Sequence, residues 1–245
     1  MTMGEREISG WKRHAAALFD SLLVRVPFLS EFFNRGVSKN MAILAGFHLL
    51  SRTHVEGDYL EFGVFRGETF RNAILGAQQS YRGATARRFA GRFIAFDSFQ
   101  GLPRVASTGD GINPYSAGEF AASRATFERT LGRLLTQYPV EIVSGWFDDT
   151  LTAETAQRLQ LRRAAFVNVD CDLYESTVPL LRFITPLLQT GTILYFDDWF
   201  SYRGAMDQGE ARAVSEWLER NPAIRLVDYR NVGLTGKMFI VNVAG

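Results

Sequence analysis

Cysteine is nearly absent from the chain, which has one cysteine, Cys171, in 245 residues. A lone cysteine excludes an internal disulfide framework, and it excludes a zinc site built from several cysteines. This composition is typical of proteins from a reducing compartment, so we expect a cytoplasmic protein. We expect Cys171 itself to be a packed thiol or a thiol that lines a site.

Two further features are missing, an excess of charge of one sign and a long apolar run. The 27 lysines and arginines balance 26 aspartates and glutamates, for a formal net charge of +1. This balance gives no general attraction to nucleic acid or to an anionic membrane. No apolar stretch approaches the roughly 18 residues that span a bilayer, and no compact secretory signal is evident. We expect no integral membrane segment, and a small molecule as the partner.

Apolar residues are concentrated in residues 15–33, which follow a short basic stretch. A segment of this kind needs a surface to cover it. We predict that it packs against the body of the protein or a sister subunit, in preference to a membrane surface. A homodimer or a larger homo-oligomer is therefore expected.

Strand-like and helix-like patterns alternate from Asp58 to about Asn221, as in an α/β protein with helices covering a largely parallel sheet. The predicted strands of this alternation are residues 59–62, 92–97, 140–145, 166–170 and 192–197. Two further runs, 224–229 and 237–243, are joined by a short glycine-bearing link and predict a terminal antiparallel hairpin. We predict a helical extension over residues 1–56 and an α/β domain over residues 57–245.

Aspartates stand at the ends of the fourth and fifth predicted strands. Asp170 and Asp172 follow the fourth strand, and Asp197 and Asp198 follow the fifth. If the two strands are neighbours, their ends lie about 5 Å apart, and the carboxylates would repel one another strongly. A divalent cation that prefers oxygen ligands, such as Mg²⁺, Ca²⁺ or Mn²⁺, would relieve this repulsion. The sequence thus suggests a metal site, with one carboxylate free to handle a proton, although single aspartates in such places also cap helices.

A glycine-bearing turn follows the first predicted strand and leads into a helix, with Gly63 and Gly67 in it. Such a turn lets backbone approach a ligand closely. Glu61 stands where the dinucleotide fingerprint has its first glycine, and its charge would repel a pyrophosphate. A cationic ligand with an amino group fits better, and Asp97 after the second strand is placed to bind a ribose diol. S-adenosylmethionine satisfies both observations.

The segment from residue 98 to about residue 120 is longer than an ordinary connection and contains glycine, serine and proline. Long loops of this kind are often active-site lids. We predict a lid here, and the alternative is a solvated insertion.

Five motifs, taken in order, resemble the macrocin O-methyltransferase family of class I methyltransferases. They are YLEFGVFRGET, FIAFDSFQGLP, EIVSGWFDDTL, VDCDLYESTVPLL and YFDDWF. The resemblance covers roughly residues 40–243. It implies a Rossmann-like fold with a mostly parallel seven-stranded sheet. It also implies Mg²⁺-dependent methylation, with S-adenosylmethionine as donor, of a sugar hydroxyl on a glycosylated natural product.

The resemblance also implies roles for single residues. The family residues that bind the methionine end of the cofactor match Glu61, Gly63 and Gly67. Those that bind its ribose match Asp97 and Ser98, and those near its adenine match Gly145, Trp146 and Phe147. The family's metal ligands match Asp170, Asp197 and Asp198. The acid proposed as general base in the family matches Asp172.

Other functions remain open from the residues alone. Asp170 and Asp172 form a D-x-D pair that a metal-dependent glycosyltransferase would use for a nucleotide sugar, but this leaves Glu61 unexplained. A haloacid-dehalogenase-like phosphatase is a second alternative, but it needs an aspartate after its first strand, where this chain has Glu61. A third alternative is a binding protein that keeps the nucleoside pocket without catalysing a reaction. Within methyltransferases, another hydroxyl, a polysaccharide or a carboxylate remains an alternative acceptor.

Aromatic residues near the motifs are candidates for the apolar walls of the acceptor pocket. These candidates are Tyr174, Trp199, Phe200 and Tyr202.

Overall fold

A computed structural model describes residues 36–85, 88–104 and 115–244, together with Ala15, Leu18 and Leu22. Apart from those three residues, the apolar segment 15–33 lies outside the described residues. So does the middle of the predicted lid. The packing of the apolar segment and the homo-oligomer therefore stay predictions.

A seven-stranded sheet forms the centre of the described structure. Its strands in chain order are β1 (Asp58–Phe62), β2 (Phe93–Asp97), β3 (Val140–Ser144), β4 (Ala164–Val169), β5 (Ile193–Phe196), β6 (Ile224–Val232) and β7 (Gly236–Val243). The spatial order is β3-β2-β1-β4-β5-β7-β6. Strands β1 to β5 run parallel, whereas β7 pairs antiparallel with both β5 and β6. The predicted fold and its terminal hairpin are confirmed, with β7 lying between β5 and β6.

Helices connect the strands and cover both faces of the sheet. They are α1 (Ser38–Thr53), α2 (Glu68–Thr85), α3 (Arg124–Leu131), α4 (Leu134–Gln137), α5 (Phe147–Thr150), α6 (Ala153–Arg158), α7 (Tyr174–Ile184) and α8 (Gly209–Arg220), with a 3-10 turn at Thr185–Leu187. None of the helices in the described ranges is both long and apolar enough to cross a membrane.

Two apolar cores hold these layers together. One face of the sheet packs against α7 and α8, with Phe62, Val167 and Leu194 in its core. The other face packs against α1 and α2, with Tyr59 and Phe166 in its core. Every residue of β1, β4 and β5 is buried. This double burial explains why the central strands are unbroken apolar runs in the sequence.

The carboxyl ends of β1 to β5 share one edge of the sheet because these strands are parallel. Strands β4 and β5 are direct neighbours, with Val169 opposite Phe196. Asp170 and Asp197 each follow directly, so the fold brings them to the same point of this carboxyl edge.

Candidate functional site

The glycine turn after β1 contacts the main chain of β2 and the main chain that directly follows β4. The Gly63 N–H donates to the Phe96 carbonyl at 2.9 Å, and the Asp170 N–H donates to the Phe62 carbonyl at 2.9 Å. Gly63 has φ +83°, and a Cβ atom added to it would overlap the carbonyl oxygen of Asp170. Only glycine meets both constraints at this position. The turn and the first aspartate of the carboxylate cluster are therefore in main-chain contact.

Asp97, at the end of β2, holds this turn in place. One of its carboxylate oxygens accepts from the Val64 N–H at 2.7 Å and from the Phe65 N–H at 3.1 Å. The other accepts from the Phe99 N–H at 2.6 Å. Asp97 thus organises the loop, in addition to the ribose contact predicted for it.

Asp170, Asp197 and Asp198 meet at the carboxyl edge, with one carboxylate oxygen of each lying within 4.8 Å of the others. The Lys39 ammonium lies between two of them. Its Nζ is 2.7 Å from Oδ2 of Asp170 and 2.9 Å from Oδ2 of Asp197. Tyr195 also donates to Asp197. Although burial disfavours the charged forms, these contacts raise the pKa of Lys39 above its usual range and hold that of Asp197 below it.

Asp198 differs from its neighbours because hydroxyl groups surround it. Its Oδ1 accepts from Tyr115 at 2.6 Å and from Ser201 at 2.8 Å. Tyr115 belongs to the predicted lid, so the described far end of that segment contacts the carboxylate cluster. The Asp198 N–H donates to the Glu210 carboxylate at 3.0 Å.

Asp172 is buried beside the cluster in a left-handed backbone conformation, with φ 63°. Burial, followed by the negative charges of Asp198 and Asp170, raises the pKa of Asp172 to about 9. A carboxyl group in this state holds a proton near neutrality. It becomes a base only when positive charge offsets the neighbouring aspartates.

Two glutamates lie buried close to the site, each with an oxygen that lacks a hydrogen-bond partner. In Glu61, on β1, one oxygen accepts from Tyr59, whereas Oε1 has no partner among the described residues. In Glu210, Oε2 accepts the Asp198 N–H and Oε1 is likewise unpaired within the described ranges. Burial raises the pKa of Glu61 to about 7, against the opposing effects of the Tyr59 hydrogen bond and the Lys39 charge.

A cavity of about 680 Å³ joins the glycine turn to the carboxylate cluster. The predicted site residues that line it are Gly63, Asp97, Ser98, Trp146, Phe147, Asp170, Asp172, Asp197 and Asp198. Its wall also includes Val232 at the end of β6 and the turn between β6 and β7, residues 233–235. One cavity thus holds both the glycine turn and the acids.

Three residues predicted to contact the cofactor are not part of the cavity wall. Glu61 points into the packed face of β1 and is fully buried. Gly67 is required by packing, since a Cβ atom added to it would lie 2.7 Å from the Phe127 ring. Gly145 has φ +143° and faces the Thr150 side chain. The structure places these three residues behind the cavity wall, and their contact with the cofactor stays a prediction.

The aromatic residues predicted to form acceptor walls are also absent from the cavity lining. Trp199 packs in the core against Phe196 and Phe239. Tyr202 is buried, and Tyr174 donates to Glu216 at 2.8 Å on α8. The Tyr202 hydroxyl donates to the Asp172 carbonyl at 3.1 Å, so this ring lies beside the acids. An acceptor wall formed by these aromatic residues stays a prediction.

Three residues near the acids were missed in the sequence. Lys39 is 131 residues from Asp170, and no pattern in α1 distinguishes it from a surface lysine. Tyr115 was included only as part of a loop. Glu210 looks like an ordinary acid in the first turn of a helix, where negative charge is favourable.

A family model described as macrocin-O-methyltransferase (TylF) matches residues 42–221. Among curated proteins, the chain is 36% identical over 156 residues to the 8-demethyl-8-(2,3-dimethoxy-alpha-L-rhamnosyl)-tetracenomycin-C 4'-O-methyltransferase of Streptomyces olivaceus, covering 59% of this chain and 54% of that protein. It is 32% identical over 158 residues to the mycinamicin III 3''-O-methyltransferase of Micromonospora griseorubida, covering 60% of this chain and 57% of that protein. The chain therefore matches little more than half the length of these relatives.

Solved structures of methyltransferases share the fold. The calicheamicin methyltransferase CalS11 has a TM-score of 0.65 at 22% identity, covering 93% of this chain and 91% of its own. The O-methyltransferase NovP has a TM-score of 0.62 at 24% identity, covering 84% and 80%. TomG of Streptomyces achromogenes, solved in complex with SAM, has a TM-score of 0.51 at 18% identity, covering 81% and 78%.

Proposed function

Because the chain belongs to the macrocin O-methyltransferase family, we propose that it methylates a hydroxyl group of a small molecule with S-adenosylmethionine as the donor. The acceptor we propose is a sugar on a glycosylated natural product. The observation that carries this proposal is the single cavity that joins the glycine turn to the carboxylate cluster. A methyl donor on one side and a hydroxyl on the other would meet inside it.

The cofactor would occupy the half of the cavity formed by the glycine turn and the ends of β2 and β3. Gly63 would give the close backbone approach there, and Asp97 and Ser98, which line the cavity, would bind the ribose. Trp146 and Phe147 add flat apolar surfaces suited to adenine. Glu61 would act from beneath the turn, as a buried negative charge that favours a cationic ligand.

The carboxylate half fits a hard divalent cation such as Mg²⁺. Its three aspartates offer oxygen donors within 4.8 Å of one another, which is the ligand chemistry this ion prefers. The Lys39 ammonium between two of them shows that positive charge is accommodated at that point. Asp170, Asp197 and Asp198 would hold the ion, which when bound would position the acceptor and lower the pKa of its hydroxyl group.

Asp172 would accept the proton of the acceptor hydroxyl. The acceptor oxygen would then form a bond to the methyl carbon while the bond from that carbon to sulfur breaks. The sulfur keeps the electron pair and becomes a neutral thioether. Positive charge held by Asp170 and Asp198 would lower the raised pKa of Asp172 and bring it into its base form. Orientation within the cavity would supply much of the rate, since the methyl group is already activated.

The sugar acceptor is supported by the names of the curated relatives, which describe methylation on a tetracenomycin rhamnosyl derivative and on mycinamicin III. In this chain the acceptor would lie between the aspartates and the β6–β7 turn. In this proposal residues 57–245 form the methyltransferase domain, and the extension 1–56 contributes α1 to the site.

Calorimetric titration with S-adenosylmethionine and with its demethylated product tests the proposal, with nucleotide sugars as controls. We expect micromolar binding of both adenosyl ligands, on the order of 8 kcal/mol. Transfer of a labelled methyl group to glycosylated macrolides and aromatic polyketides would then identify the acceptor class. Heat from a nucleotide sugar with Mg²⁺, and none from the adenosyl ligands, would contradict the proposal.

A further inference from the structure

Lys39 lies near the start of helix α1, just after Gly36 and Val37, whose π-helical turn runs directly into the helix. Helix α1 contains no acidic residue. The Lys39 ammonium can therefore pair only with carboxylates from other elements of the fold.

The side chain of Lys39 is directed into the cavity and is only 17% exposed. Burial of an ammonium group is unfavourable unless it is paired. Here it is paired twice, with Oδ2 of Asp170 and Oδ2 of Asp197, at the ends of two adjacent strands. The carboxylate cluster is thus what keeps Lys39 at this place.

The two oxygens that hold Lys39 belong to the aspartates that our proposed function assigns to a divalent ion. Mg²⁺ binds carboxylate oxygens at about 2.0–2.1 Å, so an ion on these oxygens would lie where the ammonium group lies. Two cations do not share such a position, because their repulsion in a partly buried site is large. A lysine head on a flexible four-carbon stem can withdraw without moving the helix.

We propose that Lys39 is a resident cation that a divalent ion must displace from Asp170 and Asp197, so that Lys39 sets the metal affinity of the site. This inference rests on the metal role in the proposed function. In the metal-free protein, Lys39 holds the two carboxylates together and offsets their repulsion. Lys39 weakens the apparent affinity of the site for the metal ion, because its ion pairs with Asp170 and Asp197 must be broken before the metal binds.

Metal binding to the full chain, measured without substrate, tests the inference. Mn²⁺ binding is followed by loss of the free-ion paramagnetic resonance signal, and Mg²⁺ binding by calorimetry. The neutral variants Lys39→Met and Lys39→Gln remove the charge. Lys39→Gln retains an N–H donor, so it serves as the test if Lys39→Met does not fold. Lys39→Arg keeps the charge. Lys237→Met is a matched control, since Lys237 is 18% exposed and pairs with Asp228 at 3.2 Å, outside the cavity lining.

We expect both neutral variants to bind metal at least about tenfold more tightly than the natural chain. The Lys39→Arg and Lys237→Met variants should bind as the natural chain does. Metal binding detected only in the neutral variants would also support the inference, because it would show that the Lys39 charge keeps the ion out of the substrate-free site.

Equal or weaker metal binding by the neutral variants, with normal binding by the natural chain, would overturn this inference and leave the proposed function intact. Failure of every variant to bind metal would overturn both this inference and the metal role in the proposed function. Binding of S-adenosylmethionine in either case would still support the methyltransferase.

Discussion

The two edges of the sheet differ in how their buried carboxylates are paired with positive charge. At the amino edge, Asp58 accepts from the Arg92 backbone N–H at 2.8 Å and from its guanidinium at 2.6 Å. Both carboxylate oxygens are satisfied by one residue. At the carboxyl edge, Asp170 and Asp197 share the single ammonium of Lys39, and Asp172 and Asp198 lie beside them.

At the amino edge the buried acid Asp58 is paired with a cation, whereas at the carboxyl edge there are more buried acids than cations. One acid meets one cation at Asp58, which is what a structural ion pair requires. At the other edge, several carboxyl groups cluster around one lysine, and Oε1 of Glu61 and Oε1 of Glu210 lack a hydrogen-bond partner within the described ranges, which opposes folding. Such an arrangement is expected where residues are kept for binding and chemistry, and it separates the functional edge from the structural one.

The main chain leaves no room for a side chain at Gly63, so Gly63→Ala should lower the free energy of unfolding more than any other substitution considered for the carboxyl edge. A Cβ atom there overlaps the Asp170 carbonyl oxygen at a positive φ. We expect destabilisation by more than about 4 kcal/mol, measured by urea denaturation. Gly118→Ala is the control, because Gly118 has φ +79° with no atom within 4 Å of an added Cβ. A Gly63→Ala protein as stable as the Gly118→Ala protein would contradict the contact.

Exchanging one acid at each edge should separate function from stability. Asp170→Asn should lower turnover by about a thousandfold, through loss of charge at the proposed metal site, and should spare S-adenosylmethionine binding. Asp58→Asn should instead lower stability by about 1–3 kcal/mol and leave turnover per folded molecule unchanged. Methyl-transfer kinetics and thermal unfolding of both variants check this pair. If Asp170→Asn turned over at the full rate in the presence of EDTA, the proposed metal role would be contradicted.

Glu61 should make the carboxyl edge sensitive to pH. Its pKa is raised in the folded chain from the ordinary 4.5 to about 7, so between these values the folded state holds a proton that the unfolded state releases. Stability therefore falls as pH rises through this window, and Glu61→Gln should remove that fall. We expect the variant to gain about 2 kcal/mol over the natural chain between about pH 5 and about pH 8 in urea denaturation. Parallel pH profiles would contradict this expectation.

Tyr174 should mark the limit of the site and have the smallest effect. Its hydroxyl donates to Glu216, and its ring lies under the Arg212 guanidinium, both on α8. Tyr174→Phe should cost less than about 1 kcal/mol and leave the KM for the acceptor unchanged. Thermal unfolding and steady-state kinetics measure these quantities. A strong rise in the KM for the acceptor would instead support the predicted place of Tyr174 in the acceptor wall.

The parts of the structure that follow from local sequence were predictable. Apolar runs that end in Asp97, Asp170 and Asp197 identified three strands and the edge at which they end, because a parallel strand buried on both faces admits charge only where it leaves the sheet. The terminal hairpin followed from its short glycine link. Its placement next to β5 through β7 did not, because pairing across a sheet depends on packing of the whole chain.

The parts that depend on the packing of distant segments were not predictable. Lys39 meets Asp197 across 158 residues, and this contact depends on how α1 packs against the sheet. Trp199 and Tyr202 stand beside the acids in sequence, but the chain turns there and buries both rings. The hydrogen bond between Glu61 and Tyr59 in the core could not be read from the sequence either, and the contact of Glu61 with the cofactor stays a prediction.

The backbone contact at Gly63 has an evolutionary consequence. Main-chain atoms set the spacing between the glycine turn and Asp170, so no exchange of side chains can retune it. Relatives that adopt new acceptors would have to keep this spacing and diversify farther out, in the β6–β7 turn and in the segment around Leu102, which also line the cavity. The main chain thus fixes the position of the carboxylates, whereas the side chains of the surrounding cavity wall are free to change.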